Sequence, residues 1–155
     1  MSNTSALDTL VEMTRELLDE AGVRLADSRK SAKQAKDFMD TLLSYRSDYT
    51  NEMQRLMRDG MSAMTLGHYR AFVGSLDNAI KQASTTFLRL EKSVVDNKAN
   101  WIDQHHKVNA YETLIDRRVK SLKIKESRQE QRETDEISAQ LRVRRSHNAL
   151  SSPGF

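Results

Sequence analysis

Apolar residues recur in the first part of the chain at alternating steps of four and three residues. Twelve of the fifteen positions in this first series are apolar, against 37% of the whole chain. The positions are Leu7, Val11, Thr14, Leu18, Ala21, Leu25, Ser28, Ala32, Ala35, Met39, Leu42, Arg46, Tyr49, Met53 and Leu56. A 3.5-residue period held over this length predicts a helix that packs lengthwise against another helix.

A second series with the same period follows, and thirteen of its sixteen positions are apolar. These are Tyr69, Val73, Leu76, Ile80, Ala83, Phe87, Leu90, Val94, Asn97, Trp101, Gln104, Val108, Tyr111, Ile115, Arg118 and Leu122. Folding the chain between the two series pairs residues whose numbers add to about 125, which places Trp101 near Leu25, between Ala21 and Ser28. The predicted fold is all-α: a long two-helix antiparallel coiled-coil hairpin.

Local signals set the expected boundaries of a single hairpin over residues 1–145. Helix 1 is expected at about residues 5–58, ended by Gly60, and the tip at 59–67, where Ser62 or Thr65 can cap the next helix. Helix 2 is expected at about 68–145. Its part after about residue 120 has no partner in helix 1, and 146–155 are predicted to be a disordered tail.

Composition and charge narrow the class of protein. The chain has 155 residues, of which 30% are charged, and no cysteine, which favours a reducing compartment over a disulfide scaffold. No apolar run is long enough to span a membrane and no leader is visible, so we expect a cytoplasmic protein. Residues 1–116 hold 15 Lys/Arg and 17 Asp/Glu, whereas 117–155 hold 10 and 5.

The residues needed for catalysis or metal binding do not occur in a recognisable pattern. His105 and His106 are adjacent, so their side chains diverge on a helix, and no histidine has a second one four residues away. Phosphate-binding, nucleophile-elbow and dinucleotide motifs are missing. We therefore predict a protein that is not an enzyme and that uses no cofactor or metal.

The apolar stripe near the tip is wider than a two-helix interface requires. Phe72, Leu76, Ala79 and Ala83 lie in steps of four, three and four residues beside the seam, and helix 1 offers Phe38, Leu42, Tyr45 and Tyr49 opposite them. Apolar patches of this kind mark contacts with a partner. The alternatives are a locally broader core and a generic scaffold that self-associates as a four-helix dimer.

The aromatic spacing near the tip resembles one protein family. The pattern Leu42-x-x-Tyr45-x-x-x-Tyr49, then Gly60, then Tyr69-x-x-Phe72-x-x-x-Leu76-x-x-Ala79-Ile80, and later Trp101 with the charged tail, is similar to the flagellar type III export protein family FliJ. The resemblance runs from about Leu7 to Gln140.

The resemblance implies both a fold and a set of partners. Members are antiparallel coiled coils similar to the stalk of the rotary ATPase γ subunit. They are associated with the hexameric export ATPase FliI, the cytoplasmic domain of the export gate protein FlhA, and export chaperones such as FlgN and FliT. Carried over by position, the gate-binding residues are Phe72, Leu76, Ala79 and Ala83, with Phe38, Leu42, Tyr45 and Tyr49 as an adjoining surface. The location implied is the cytoplasmic face of the inner membrane at the flagellar base.

Binding of nucleic acid by the basic end is the remaining alternative. It would lose affinity steeply with salt. Glu126, Glu130, Glu133, Asp135 and Glu136 are interspersed among the cations of that end, and it contains no aromatic residue before Phe155 on which a base could stack. We therefore expect no nucleic-acid partner.

Overall fold

A computed structural model describes residues 2–151, with side chains from residue 6 onward, and shows two helices. The first, α1, runs Ser2–Asp59, and the second, α2, runs Ala63–Leu150. No strand occurs among the described residues. The helices pack against each other in antiparallel fashion, so the predicted all-α hairpin is confirmed.

The connection between the helices is shorter than the sequence suggested. Gly60 has φ +91°, a left-handed conformation that ends α1 and that glycine adopts without a steric penalty. The Ser62 hydroxyl accepts a hydrogen bond from the Thr65 amide at 3.2 Å and so caps α2. Because this cap acts directly after the turn, α2 begins at Ala63 instead of near His68, and only residues 60–62 lie outside both helices.

The described chain forms two compact units. One comprises Glu12–Val108, with the tip and the facing parts of α1 and α2; the other comprises the described parts of residues 1–11 and 109–155. In the first unit, the buried residues of both helices all fall on the two predicted series. They are Thr14, Ala21, Leu25, Ser28 and Ala32 on α1, and Leu76, Ala83 and Val108 on α2.

Cross-helix contacts in the Glu12–Val108 unit fix the register. Arg46 pairs with Asp77, and a Cβ built on Gly22 would lie 3.6 Å from Nε1 of Trp101. The residue numbers of both pairs add to 123, close to the predicted 125. The indole of Trp101 therefore lies against Gly22, one turn before Leu25 and within the stretch from Ala21 to Ser28 where the register placed it.

In the other unit, half-buried residues of α2 end at Arg118, and every described residue from 119 to 151 is exposed. We call residues 119–151 the exposed segment of α2. Residues 146–150 are helical, although the sequence suggested a disordered tail from 146. Residues 152–155, the rest of that expected tail, lie outside the described residues.

Candidate partner-binding surface

Three aromatic rings meet near the tip of the hairpin. The ring centroids of Tyr49 on α1 and Phe72 on α2 are 4.4 Å apart at an interplanar angle of 46°. Tyr69, one turn before Phe72 on α2, lies 6.3 Å from Tyr49. Tilted pairs at these distances stabilise beyond the apolar area that they bury, so the cluster helps to hold α1 against α2 while Tyr49 and Phe72 remain 41% and 42% exposed.

The four residues predicted to bind the export gate fall into two pairs. Phe72 is exposed and Ala79 is half-buried, whereas Leu76 and Ala83 are both only 7% exposed. Each pair has seven-residue spacing, which keeps its members on one face of a coiled-coil helix. Leu76 and Ala83 face α1, and Phe72 and Ala79 lie beside that interface. Phe72 and Ala79 can therefore contact a partner directly, whereas Leu76 and Ala83 are buried against α1 in this structure.

The adjoining residues on α1 are mostly exposed. Phe38, Tyr45 and Tyr49 are 59%, 53% and 41% exposed, and Leu42 is half-buried against α2. Positions 38, 45 and 49 lie at helical spacings of seven and four residues, so they share a face. Tyr49 in turn contacts Phe72 of α2. We call these four exposed rings the aromatic surface: Phe38, Tyr45, Tyr49 and Phe72.

Two carboxylates border the aromatic surface. Asp48 and Glu52 line a shallow groove of about 380 Å³ with Tyr49. Glu52 accepts hydrogen bonds from the Arg55 guanidinium at 2.6 and 3.1 Å, and these bonds lower the pKa of Glu52 below its usual range. Its carboxylate is therefore ionised at neutral pH, and the border stays polar around the rings.

Tyr69 was not predicted as part of this surface. The sequence placed it in the seam and in the aromatic pattern near the tip, but not among the predicted binding residues. It is half-buried, and its ring packs beside Tyr49. The spacing of three residues between Tyr69 and Phe72 was the available signal, since it places both rings on one side of α2.

Across residues 2–151, His, Asp and Glu side chains nowhere gather in a group of three or more that could hold a metal ion. Within that range, neither helix has a stretch both long and apolar enough to cross a membrane.

Together, the antiparallel seam and the exposed rings define a coiled-coil hairpin protein with an apolar surface beside its tip. Its sequence relationships identify it further. The profile of the family "Flagellar FliJ protein" matches residues 3–147, so the chain belongs to the FliJ family.

Relatives of known name agree with this assignment. The flagellar FliJ protein of Salmonella typhi is 24% identical over 145 residues, covering 94% of this chain and 99% of that protein. The flagellar FliJ protein of Escherichia coli (strain K12) is 23% identical over the same shares of both chains. Among solved structures, CT670 from Chlamydia trachomatis, a candidate YscO homolog, aligns at 13% identity with a TM-score of 0.46, covering 92% of this chain and 93% of its own. That match is too weak to establish a shared fold.

Proposed function

We propose that this protein is a non-enzymatic component of the flagellar type III export apparatus. It links the ring of the export ATPase FliI to the cytoplasmic domain of the export gate protein FlhA, and it assists export chaperones such as FlgN and FliT. The observation that carries this proposal is the family match over residues 3–147. The chain offers a separate region for each contact, the aromatic surface for one and the exposed segment of α2 for the other.

Gate binding is assigned to the side of the hairpin that carries Phe72. Phe72 and Ala79 contact the gate directly, and Leu76 and Ala83 act indirectly because they hold this part of α2 against α1. Tyr49 supports the Phe72 ring from α1 at a centroid distance of 4.4 Å. An aromatic side chain at the centre of an interface contributes much of the binding free energy, so Phe72 is the residue on which gate binding depends most.

Substitution of Phe72 tests the gate contact. Phe72→Ala should weaken binding to the purified gate domain by roughly tenfold or more, as expected for loss of an aromatic anchor, and should leave helicity by circular dichroism unchanged. Leu114→Ala is the control, since it removes an exposed apolar side chain elsewhere on α2. If calorimetry showed that Phe72→Ala and the unsubstituted chain bind the gate domain with equal affinity, gate binding could not be assigned to Phe72.

Ring binding is assigned to the exposed segment of α2. All its described residues are exposed, and Lys125, Arg128 and Arg132 lie together on one side of the helix. A helix with that exposure has side chains available along its length for loops of a surrounding ring. The excess of cations after residue 116 favours acidic loops as their partners.

Truncation tests the ring contact. A chain that ends at Lys123 retains every buried residue of both units, so its circular dichroism should still show a folded hairpin. We expect this chain to lose most of its stimulation of the ATPase. Full stimulation by the truncated chain would show that the exposed segment is not the ring-binding part.

A further inference from the structure

Three apolar residues of α2 remain exposed at seven-residue spacing. Leu88, Val95 and Ile102 are 62%, 65% and 39% exposed. Each directly follows a half-buried residue of the seam, so the three form a second row beside the interface with α1. We call them the heptad row. Seven-residue spacing repeats a position of a coiled coil, and a row of this kind is suited to packing against a further helix.

One residue of the heptad row, Val95, lines a groove between the two helices of the Glu12–Val108 unit. Arg29 and Ala32 of α1 and Glu91, Val94 and Val95 of α2 line a groove of about 280 Å³. Ala32 is buried and Val94 half-buried, so the floor is apolar, while Val95 forms an exposed wall. The small side chain of Ala32 leaves space in which a side chain from another helix can insert.

Arg29 lines this groove, and three further cations lie near it by helical spacing. Lys33 and Lys36 follow Arg29 at four and seven residues along α1, on the same side as the groove-lining Arg29. Lys98 follows Glu91 at seven residues on α2, on the side that carries the heptad row. Glu91 is the carboxylate among the groove-lining residues. We call Arg29, Lys33, Lys36 and Lys98 the basic rim.

We propose that this groove binds an amphipathic helix of another protein, one with apolar residues at heptad positions and Asp or Glu beside them. The apolar residues of that helix pack on the heptad row, and its carboxylates pair with the basic rim. Complementary charge across such a contact fixes orientation and excludes partners of the wrong sign.

The same charges disfavour a second copy of this chain as the occupant. Two copies joined through this groove would bring one basic rim against another. Like charges brought together in an interface oppose association. The groove is also separate from the aromatic surface, so this inference does not depend on gate binding.

Two designed peptides test the proposal with the full chain. Each is a fluorescently labelled helix of about three heptads with leucine at the core positions, and the flanking positions carry glutamate in one peptide and lysine in the other. In fluorescence anisotropy, we expect the glutamate peptide to bind and the lysine peptide to bind at least about tenfold more weakly. Binding of the glutamate peptide should weaken as salt is raised from about 50 to about 500 mM.

Matched variants locate the binding. Val95→Gln should weaken binding of the glutamate peptide roughly tenfold, because the apolar valine side chain that the peptide would bury is no longer present. Lys33→Glu should weaken this binding by a similar factor. Val23→Gln is the control, since Val23 is 60% exposed on α1 and lies outside the groove. All three positions are exposed, and circular dichroism verifies that each variant is folded.

Three results would overturn the proposal. The first is equal binding of the two peptides, and the second is a Val95→Gln variant that binds as well as Val23→Gln. The third is sedimentation equilibrium showing that the full chain forms a dimer that Val95→Gln dissociates, which would make a second copy the occupant.

Discussion

Gly22 lies beside the one tryptophan of the chain. The indole of Trp101 lies where a Cβ on Gly22 would be 3.6 Å from its Nε1 and 3.7 Å from its Cδ1. These are ordinary van der Waals distances, so a methyl group at this position would touch the indole without displacing it. The ring centroids of Trp101 and His105, one turn later on α2, are 5.3 Å apart. The indole lies close to Gly22 but leaves room there for one methyl group.

That geometry makes Gly22→Ala a stabilising substitution. Alanine should raise the free energy of unfolding by up to about 1 kcal/mol, since glycine is the poorer helix former by that amount, and its methyl group should pack on Trp101. Gly74→Ala is the matched control, because a Cβ there meets nothing within 4 Å. Urea unfolding measures both. A Gly22→Ala chain that is less stable than the Gly74→Ala chain would mean that the helices approach more closely at Trp101 than the structure shows.

Leu76 and Phe72 are expected to differ in what they contribute to stability. Leu76 is 7% exposed in the seam, so Leu76→Ala should cost about 2–4 kcal/mol of unfolding free energy, as cavity-forming substitutions do. Phe72 is 42% exposed and loses mainly its contact with Tyr49, so Phe72→Ala should cost less, about 1 kcal/mol. Urea midpoints of the two variants measure the difference. If Phe72→Ala cost as much as Leu76→Ala, Phe72 would be a core residue and a poor candidate for partner binding.

At the scale of elements, α2 contains two parts with different support. Residues 76–108 include the buried Leu76, Ala83 and Val108, whereas every described residue after Arg118 is exposed. Most helical stability in proteins comes from packing an apolar face, and helix without such packing is marginal in water. The two parts of one continuous helix should therefore open with different free energies.

Hydrogen exchange should reveal this difference in the isolated protein. Amides of residues 119–151 should exchange within the earliest time points, and those of residues 76–108 should be protected for much longer, because only the latter open with the hairpin. Mass spectrometry of peptic fragments reports both in one experiment. Equal protection of the two parts in dilute solution would show that the exposed segment is packed against something that the structure does not contain.

At the scale of the whole molecule, the short connection decides how the chain pairs. Only residues 60–62 separate α1 from α2, and helices joined by so few residues are antiparallel neighbours within one chain. An exchange of α2 between two chains would require residues 60–62 to open from the turn in which Gly60 has a φ of +91°. The capped turn therefore favours the intramolecular hairpin.

Spin labels can test the intramolecular pairing. The chain has no cysteine, so Asp27→Cys and Asp96→Cys introduce two unique and exposed attachment sites whose numbers match the register. The inter-label distance should be below about 30 Å, given an interaxial distance of 8–10 Å and the two label linkers. Dilution with unlabelled protein before refolding should leave the distance signal unchanged. Loss of the signal on dilution would indicate pairing between chains.

The sequence also predicted much of the candidate surface, although not how its residues divide. Phe72, Leu76, Ala79 and Ala83 were expected to act as one stripe, but Leu76 and Ala83 are buried whereas Phe72 is exposed. A seven-residue period identifies residues that share a face, but which of two neighbouring faces meets the other helix depends on how the helices are rotated. The contact of Tyr49 with Phe72 depends on the same rotation.

The sequence by itself determined the helices, their antiparallel pairing and the residues of the seam, because a 3.5-residue apolar period and a glycine at the turn are local properties of the chain. Only the tertiary structure decided that Ser62 caps α2 immediately, that Trp101 lies against Gly22, and which exposed residues line a groove. Those features depend on the distance and rotation between two helices. Both quantities are set by how all the side chains of the interface fit together, and no periodicity within a single helix contains them.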